Sequence, residues 1–139
     1  MVDGEKEGYY QLSLGHEFPS QSYLLDSQTI SNYLEAVKES SDLYKSGGLV
    51  PPMAVAALAM GALAASIMYP PGTVHVSQEL AFLNLVRVGD TITCHSKVSR
   101  KVDRGGMHLL STDLTVFNQN QTIVLTGRVG FVLPNEQPG

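Results

Sequence analysis

Charge is scarce in this chain and cysteine is nearly absent. Asp, Glu, Lys and Arg make up 16% of its 139 residues, 13 acidic against 9 basic, for a net charge of −4. That balance lacks the basic field on which general nucleic-acid binding depends. Cys94 is the single cysteine. It cannot close an internal disulfide and offers no zinc cluster, so a reducing cytoplasm is the expected compartment. The first eight residues, MVDGEKEG, are polar and charged and contain no apolar run of the kind a signal peptide needs. Four scattered histidines, His16, His75, His95 and His108, have no ligand spacing, so neither a metal nor a cofactor is expected.

The longest absence is of charge itself. Gly47 to Gly72 (GGLVPPMAVAALAMGALAASIMYPPG) carries no charged side chain, and a proline pair flanks each end of its middle. Met53 to Tyr69 would extend roughly 25 Å as a helix, short of the about 20 apolar residues that a bilayer span needs. Seven of its residues are alanine and one is Gly61, and no aromatic belt brackets it. The segment therefore reads as a helix over about Pro52–Tyr69, buried on every side and not in a membrane. Pro51 and Pro52 suit its first turn, and Pro70, Pro71 and Gly72 its exit. Met53, Met60 and Met68 read as core filler along it.

Periods of two follow. Thr73 to Leu83 alternates Val74, Val76, Leu80 and Phe82 with His75, Ser77 and Glu79. After the turn Arg87–Asp90, Ile92, Cys94, Val98 and Val102 continue the alternation to a hairpin turn at Asp103-Arg104-Gly105-Gly106. Strands are expected over Met107 to Phe117 and, after a turn at Asn118–Gln121, through Ile123, Leu125, Val129, Phe131 and Leu133. Earlier, Tyr9–Leu14 reads as a strand and Thr29–Glu39 as an amphipathic helix with Ile30, Tyr33, Leu34 and Val37 on one face. One long apolar helix followed by an antiparallel meander predicts an α+β fold, a single hot-dog domain over residues 1–139 with flexible ends at 1–7 and 135–139. In it a curled sheet wraps the helix. One such sheet leaves its helix partly bare and its edges unpaired, so a dimer is expected.

The stretches PPGTVHVSQELAFLNLVRVGDTITCHSKV and LTVFNQNQTIVLTGRVGFVLP resemble the C-terminal half of (R)-specific enoyl-CoA hydratases, members of the MaoC-like dehydratase family. The carrying features are the proline-glycine after the central helix, the strand ending in Phe82, the Val88-Gly89-Asp90-Thr91 turn and the closing Gly127–Pro134 strand. The resemblance covers about Pro51–Pro134, with a looser match over Asp26–Ser41. It implies an acyl thioester, on coenzyme A or acyl carrier protein, held between two hot dogs while water is added to or removed from a carbon–carbon double bond.

The same resemblance implies an Asp-x4-His motif ahead of the central helix and a His-Gly at its start. The first supplies a base within reach of water, the second an N–H for the thioester oxygen at the positive end of the helix. Here the connecting stretch is KESSDLYKSGGLVPP, Lys38–Pro52, with no histidine. Asp42 is the nearest carboxylate, followed at the relevant distance by Ser46 and Gly47. Pro51-Pro52 stands where His-Gly is expected, and proline has no N–H to donate. Met53 N–H is the substitute one position on. A displaced catalytic set would have to be Asp42, His75 and Glu79. His16, His95 and His108 read as strand surface or strand end. The candidate substrate contacts are Pro52 and Met53, with Arg100, Lys101 and Arg104. The last three crowd one hairpin with Lys97, where they would attract phosphates or an acidic carrier.

Three functions stay open at this point. One is a hot-dog subunit that binds the thioester but is non-catalytic alone, paired with a catalytic sister chain. Another is an active hydratase or dehydratase using the displaced set. The third is a stand-alone thioester-binding protein or a thioesterase, although the central helix lacks the carboxylate that thioesterases commonly place there. Homodimer and heterodimer are equally compatible with the pattern.

Overall fold

Backbone pairing along the period-two segments builds one antiparallel sheet. The computed structural model describes residues 7–135, so the expected flexible ends fall outside it except for Glu7 and Asn135. The strands are β1 (Glu7–Gly8), β2 (Gln21–Leu24), β3 (Ile67–Met68), β4 (Val74–Phe82), β5 (Thr91–Arg104), β6 (Met107–Phe117) and β7 (Ile123–Pro134). Five of them form a sheet in the order β2-β5-β6-β7-β4, and β1 pairs with β3 in parallel. The helices are α1 (Ser27–Ala36), α2 (Asp42–Lys45) and α3 (Pro52–Ala64). The sheet curls over α3 and buries Ala54, Val55, Ala59 and Leu63 against Ile92, Val98, Leu114, Val116 and Leu125. This is the expected α+β hot-dog architecture.

Local signals set most boundaries. Asp26 caps α1 by accepting from Thr29 N at 2.8 Å. Pro52 occupies the first turn of α3, where a missing N–H costs nothing. The Arg87–Asp90 turn closes through Asp90 N to Arg87 O at 3.0 Å, with Gly89 at φ +99, a conformation that glycine reaches without strain. Gly105 and Gly106, both at positive φ, form the two-residue hairpin loop between β5 and β6.

Two elements differ from expectation. Tyr9–Leu14 is not a strand: Tyr9–Gln11 makes a single 3-10 turn after the two residues of β1. The central helix ends at Ala64, five residues short of Tyr69. Ser66 N turns onto Leu63 O, and Ile67–Met68 then extends to pair with Glu7–Gly8. The helix stops because a distant segment supplies backbone partners, well before the second proline pair.

Bulges also change which side chains face the helix. On β4, His75 pairs with Phe131 and Ser77 with Gly130, so Val76 is one residue too many for its partner strand. Directly paired residues share a face, so His75 points inward with Leu80 and Phe82, while Val74, Ser77 and Glu79 point outward. The expected common face for His75, Ser77 and Glu79 is thereby corrected. A shift between Val98 and Arg100 turns Lys101 inward, opposite Leu110, and Val102 outward. Another beside Val116 buries Val124 next to Leu125 and leaves Ile123 partly exposed.

Close packing pins β4 to β7. A Cβ on Gly127 would lie 2.8 Å from Leu80 Cδ2 and 3.0 Å from the Glu79 carbonyl oxygen. Gly127→Ala is expected to destabilise the protein by about 1–3 kcal/mol, read as a lower melting temperature. An unchanged melting temperature would contradict this packing.

Candidate functional site

The approach to α3 is built by Val37–Pro51. This segment runs through α2 and then rejoins the fold by Val88 N to Gly48 O and Val50 N to Val86 O, each at 2.8 Å. Pro51 caps α3 and Pro52 begins it. Neither has an N–H, so Met53 carries the first N–H of the helix, a donor that a helix leaves without an intrahelical partner. The Met53 side chain is itself exposed.

One concavity adjoins this turn and a second lies against the connecting segment that leads to it. A cleft of about 770 Å³ opens between α1 and the connecting segment, with the hydroxyls of Ser31, Ser40, Tyr44 and Ser46 and the charged Glu35, Lys38 and Glu39 around a floor of Ile30 and Leu34. A smaller apolar pocket lies against Pro52 and Val55, closed by Phe82, Leu83 and Val124. No histidine lines either concavity among the described residues. The hydroxyl groups of the cleft were not singled out in the sequence, because single serines in a loop carry no pattern. The second pocket depends on the Val124 bulge, which has no local signature either.

The remaining candidates do not converge there. Asp42 begins α2, and its backbone carbonyl accepts from Ser46 N and Gly47 N at 3.0 and 2.9 Å. His75 lies at the opposite end of α3, about 20 Å along the helix axis. Its ring stacks on Phe131, which in turn stacks on Tyr69 beyond the helix exit, with centroids 5.1 and 4.8 Å apart. Burial pushes the Tyr69 phenol up to about 12 and the Cys94 thiol up to about 12, so both stay protonated and neither serves as base or nucleophile near neutral pH. Among the described residues, no cluster of three His, Cys, Asp or Glu side chains is arranged to hold a metal ion.

Glu79 belongs to a different structure. On the outer face, Glu79 stands opposite Arg128, Arg128 opposite Asp113, and Asp113 opposite Lys97, with Glu17 bridged to Lys97 beyond. This row of alternating sign crosses the sheet. Arg128 Nε donates to Asp113 Oδ1 at 2.8 Å and holds the Asp113 carboxyl below its ordinary value. A carboxyl lowered in the folded state stabilises above the unfolded pKa, near 4, and loses that contribution as pH falls through the lower folded value. Asp113→Asn is therefore expected to lower the melting temperature modestly at neutral pH, where the pair contributes, and to flatten its fall below about pH 4, where the parent loses that contribution itself. An identical acid limb would refute it.

The hairpin cations separate too. Lys101 Nζ donates to Leu12 O at 2.6 Å and lies 4.9 Å from the centre of the Tyr9 ring, so its ammonium is engaged inside the fold. Arg100 and Arg104 stay exposed on the outer face. His108 pairs with Asp103 and packs on Tyr9 and Tyr10, fastening the N-terminal segment. His95 packs on Phe117 and His16 on Phe18.

A curled antiparallel sheet around one apolar helix, with a cleft and a pocket at the helix start, defines a hot-dog protein of the MaoC-like dehydratase type. The family model described as "FAS1-like, dehydratase domain region" matches residues 13–127, and the chain belongs to that family. No curated protein matches it by sequence. Among solved structures, the R-hydratase PhaJ1 from Pseudomonas aeruginosa is similar at 20% identity and TM-score 0.77, over 92% of this chain and 86% of that one. The ChsH1-ChsH2 complex from Mycobacterium tuberculosis is similar at 16% identity and TM-score 0.69, covering 87% and 98%. The HadBC complex of the same organism, a 3R-hydroxyacyl-ACP dehydratase, is similar at 16% identity and TM-score 0.65, covering 86% and 96%. These likenesses establish the fold.

Proposed function

We propose that the chain is a non-catalytic hot-dog subunit that helps to bind an acyl-CoA or acyl-carrier-protein thioester and pairs with a sister subunit that performs the hydration or dehydration. One observation carries this: the start of α3 is Pro51-Pro52, and none of the histidines placed in the fold lines the concavities beside it. The polar cleft, with its serine and tyrosine hydroxyls beside Glu35, Lys38 and Glu39, suits the amide and hydroxyl groups of a pantetheine arm, and the apolar pocket suits the acyl group. Relatives in fold that are complexes of two named components support a paired arrangement.

The partner surface is the unfinished side of the hot dog. The edge strand β4 leaves Val74, Val76 and Phe82 exposed. Beside it, α3 exposes Met53, Ala57, Gly61 and Ala64 on one stripe. A long apolar edge next to an apolar helix stripe calls for a covering chain, and the small residues of the stripe allow close approach. No helix among the described residues is long and apolar enough to cross a membrane, and a buried, reduced Cys94 suits the cytoplasm.

Co-expression with a MaoC-like chain from the same source that retains Asp-x4-His tests the assignment. A stable one-to-one complex in native mass spectrometry is the expected result. Two separate homo-oligomers, together with enoyl hydration by this chain alone, would overturn it.

A further inference from the structure

The outer face of the sheet, on the side away from α3, carries its side chains in rows that cross the strands. One is the charged row already described, with Lys97, Asp113, Arg128 and Glu79 on β5, β6, β7 and β4 in turn. Its signs run plus, minus, plus, minus. Toward the β5–β6 hairpin, a second row places Val102, Leu109, Val132 and Val74 on the same strands, none of them buried. Between the two rows, Ser111, Gly130 and Ser77 keep the middle of the face low. An apolar row that crosses the sheet in contact with solvent marks an interaction surface.

We propose that this face packs on the same face of a second copy of the chain, about a two-fold axis parallel to the strands and midway between β6 and β7. The charges set the register. An axis along the strands keeps each row at its own level, so Leu109 lies over Val132 and Val102 over Val74. Placed between β6 and β7, it sets Asp113 over Arg128 and Lys97 over Glu79, and every contact occurs twice. The Asp113–Arg128 ion pair of each copy then completes a square of alternating charge with its mate. An axis moved onto β6 would instead set Asp113 over Asp113 and Lys97 over Arg128. The low middle row lets the sheets reach the roughly 10 Å spacing of aligned sandwiches. This face is the far side of the sheet from the α3 stripe, so the contact is independent of the thioester assignment and joins two assembled pairs back to back. Exposed ion pairs and one apolar row make it weak, with a dissociation constant on the order of 0.1 mM, so dilution separates it.

Sedimentation equilibrium of the purified assembly between about 5 µM and about 0.5 mM reads the contact directly. The mass is expected to double across that range. Lys97→Glu and Glu79→Lys, both at exposed positions, should each weaken the doubling about tenfold, because an attraction becomes a repulsion at two places. Combining them restores opposite charges across the axis and should recover the parent's affinity to within about threefold. Leu109→Lys should abolish the doubling by setting an ammonium over Val132. Melting curves verify that each variant is folded. A constant mass, or a doubling that no variant moves, would overturn the contact. Single variants that weaken it without rescue by the combination would overturn the register. Variants that instead release the sister subunit would give this face to the sister and overturn the self-contact.

Discussion

Gly61→Glu is expected to break the assembly while leaving the chain folded. Gly61 lies on the exposed side of α3, and a Cβ added there meets no heavy atom within 4 Å. In the lone chain the new side chain reaches water. Replacing a mid-helix glycine should even stabilise the helix, by about 0.5–1 kcal/mol. Against a partner packed on the stripe of Met53, Ala57, Gly61 and Ala64, the same carboxylate is buried without a counter-ion. The cost is on the order of 3–5 kcal/mol, more than a hundredfold in dissociation constant. Light scattering after size exclusion should show monomer for the variant and a larger species for the parent, at equal or higher melting temperature. A variant that keeps the parent's assembly would place the partner surface elsewhere.

Asp42→Asn and His75→Gln are expected to leave the hydration rate of the assembled pair within about twofold of the parent. A positioned acid or base contributes about 10²–10⁴ in rate, so its removal is easy to see. Asp42 makes its recorded hydrogen bonds through its backbone carbonyl, to Ser46 and Gly47. His75 is held by Phe131 and by Ser77 O, 2.9 Å from its Nε2. Neither side chain lines the cleft or the apolar pocket described above. A hundredfold loss from either substitution would restore the displaced catalytic set.

The sequence shows the architecture plainly because its strongest signals are local. The charge-free alanine-rich segment, the prolines at its start, the Gly105-Gly106 loop and the alternation in Met107–Phe117 each act within a few residues, and each is found where the pattern puts it. The misread parts depend on distant partners. Ile67–Met68 leaves the helix because Glu7–Gly8 is beside it. Val76 becomes a bulge only against β7, and that single residue turns His75 away from Glu79. Lys101 looks like a surface cation by composition, yet the shift after Val98 turns it under Tyr9. At the candidate site the proline pair is legible as an absence of donors. The pocket is not, since it needs Val50, Phe82 and Val124 from three separated segments.

The most direct test of the non-catalytic assignment is the loss of enoyl absorbance of crotonyl-CoA with tag-free protein, measured alone and after adding the sister subunit that carries Asp-x4-His. The expected result is no turnover above buffer by this chain and rapid hydration by the pair. Turnover by the chain alone that survives repurification and falls on replacing Asp42 or His75 would contradict it.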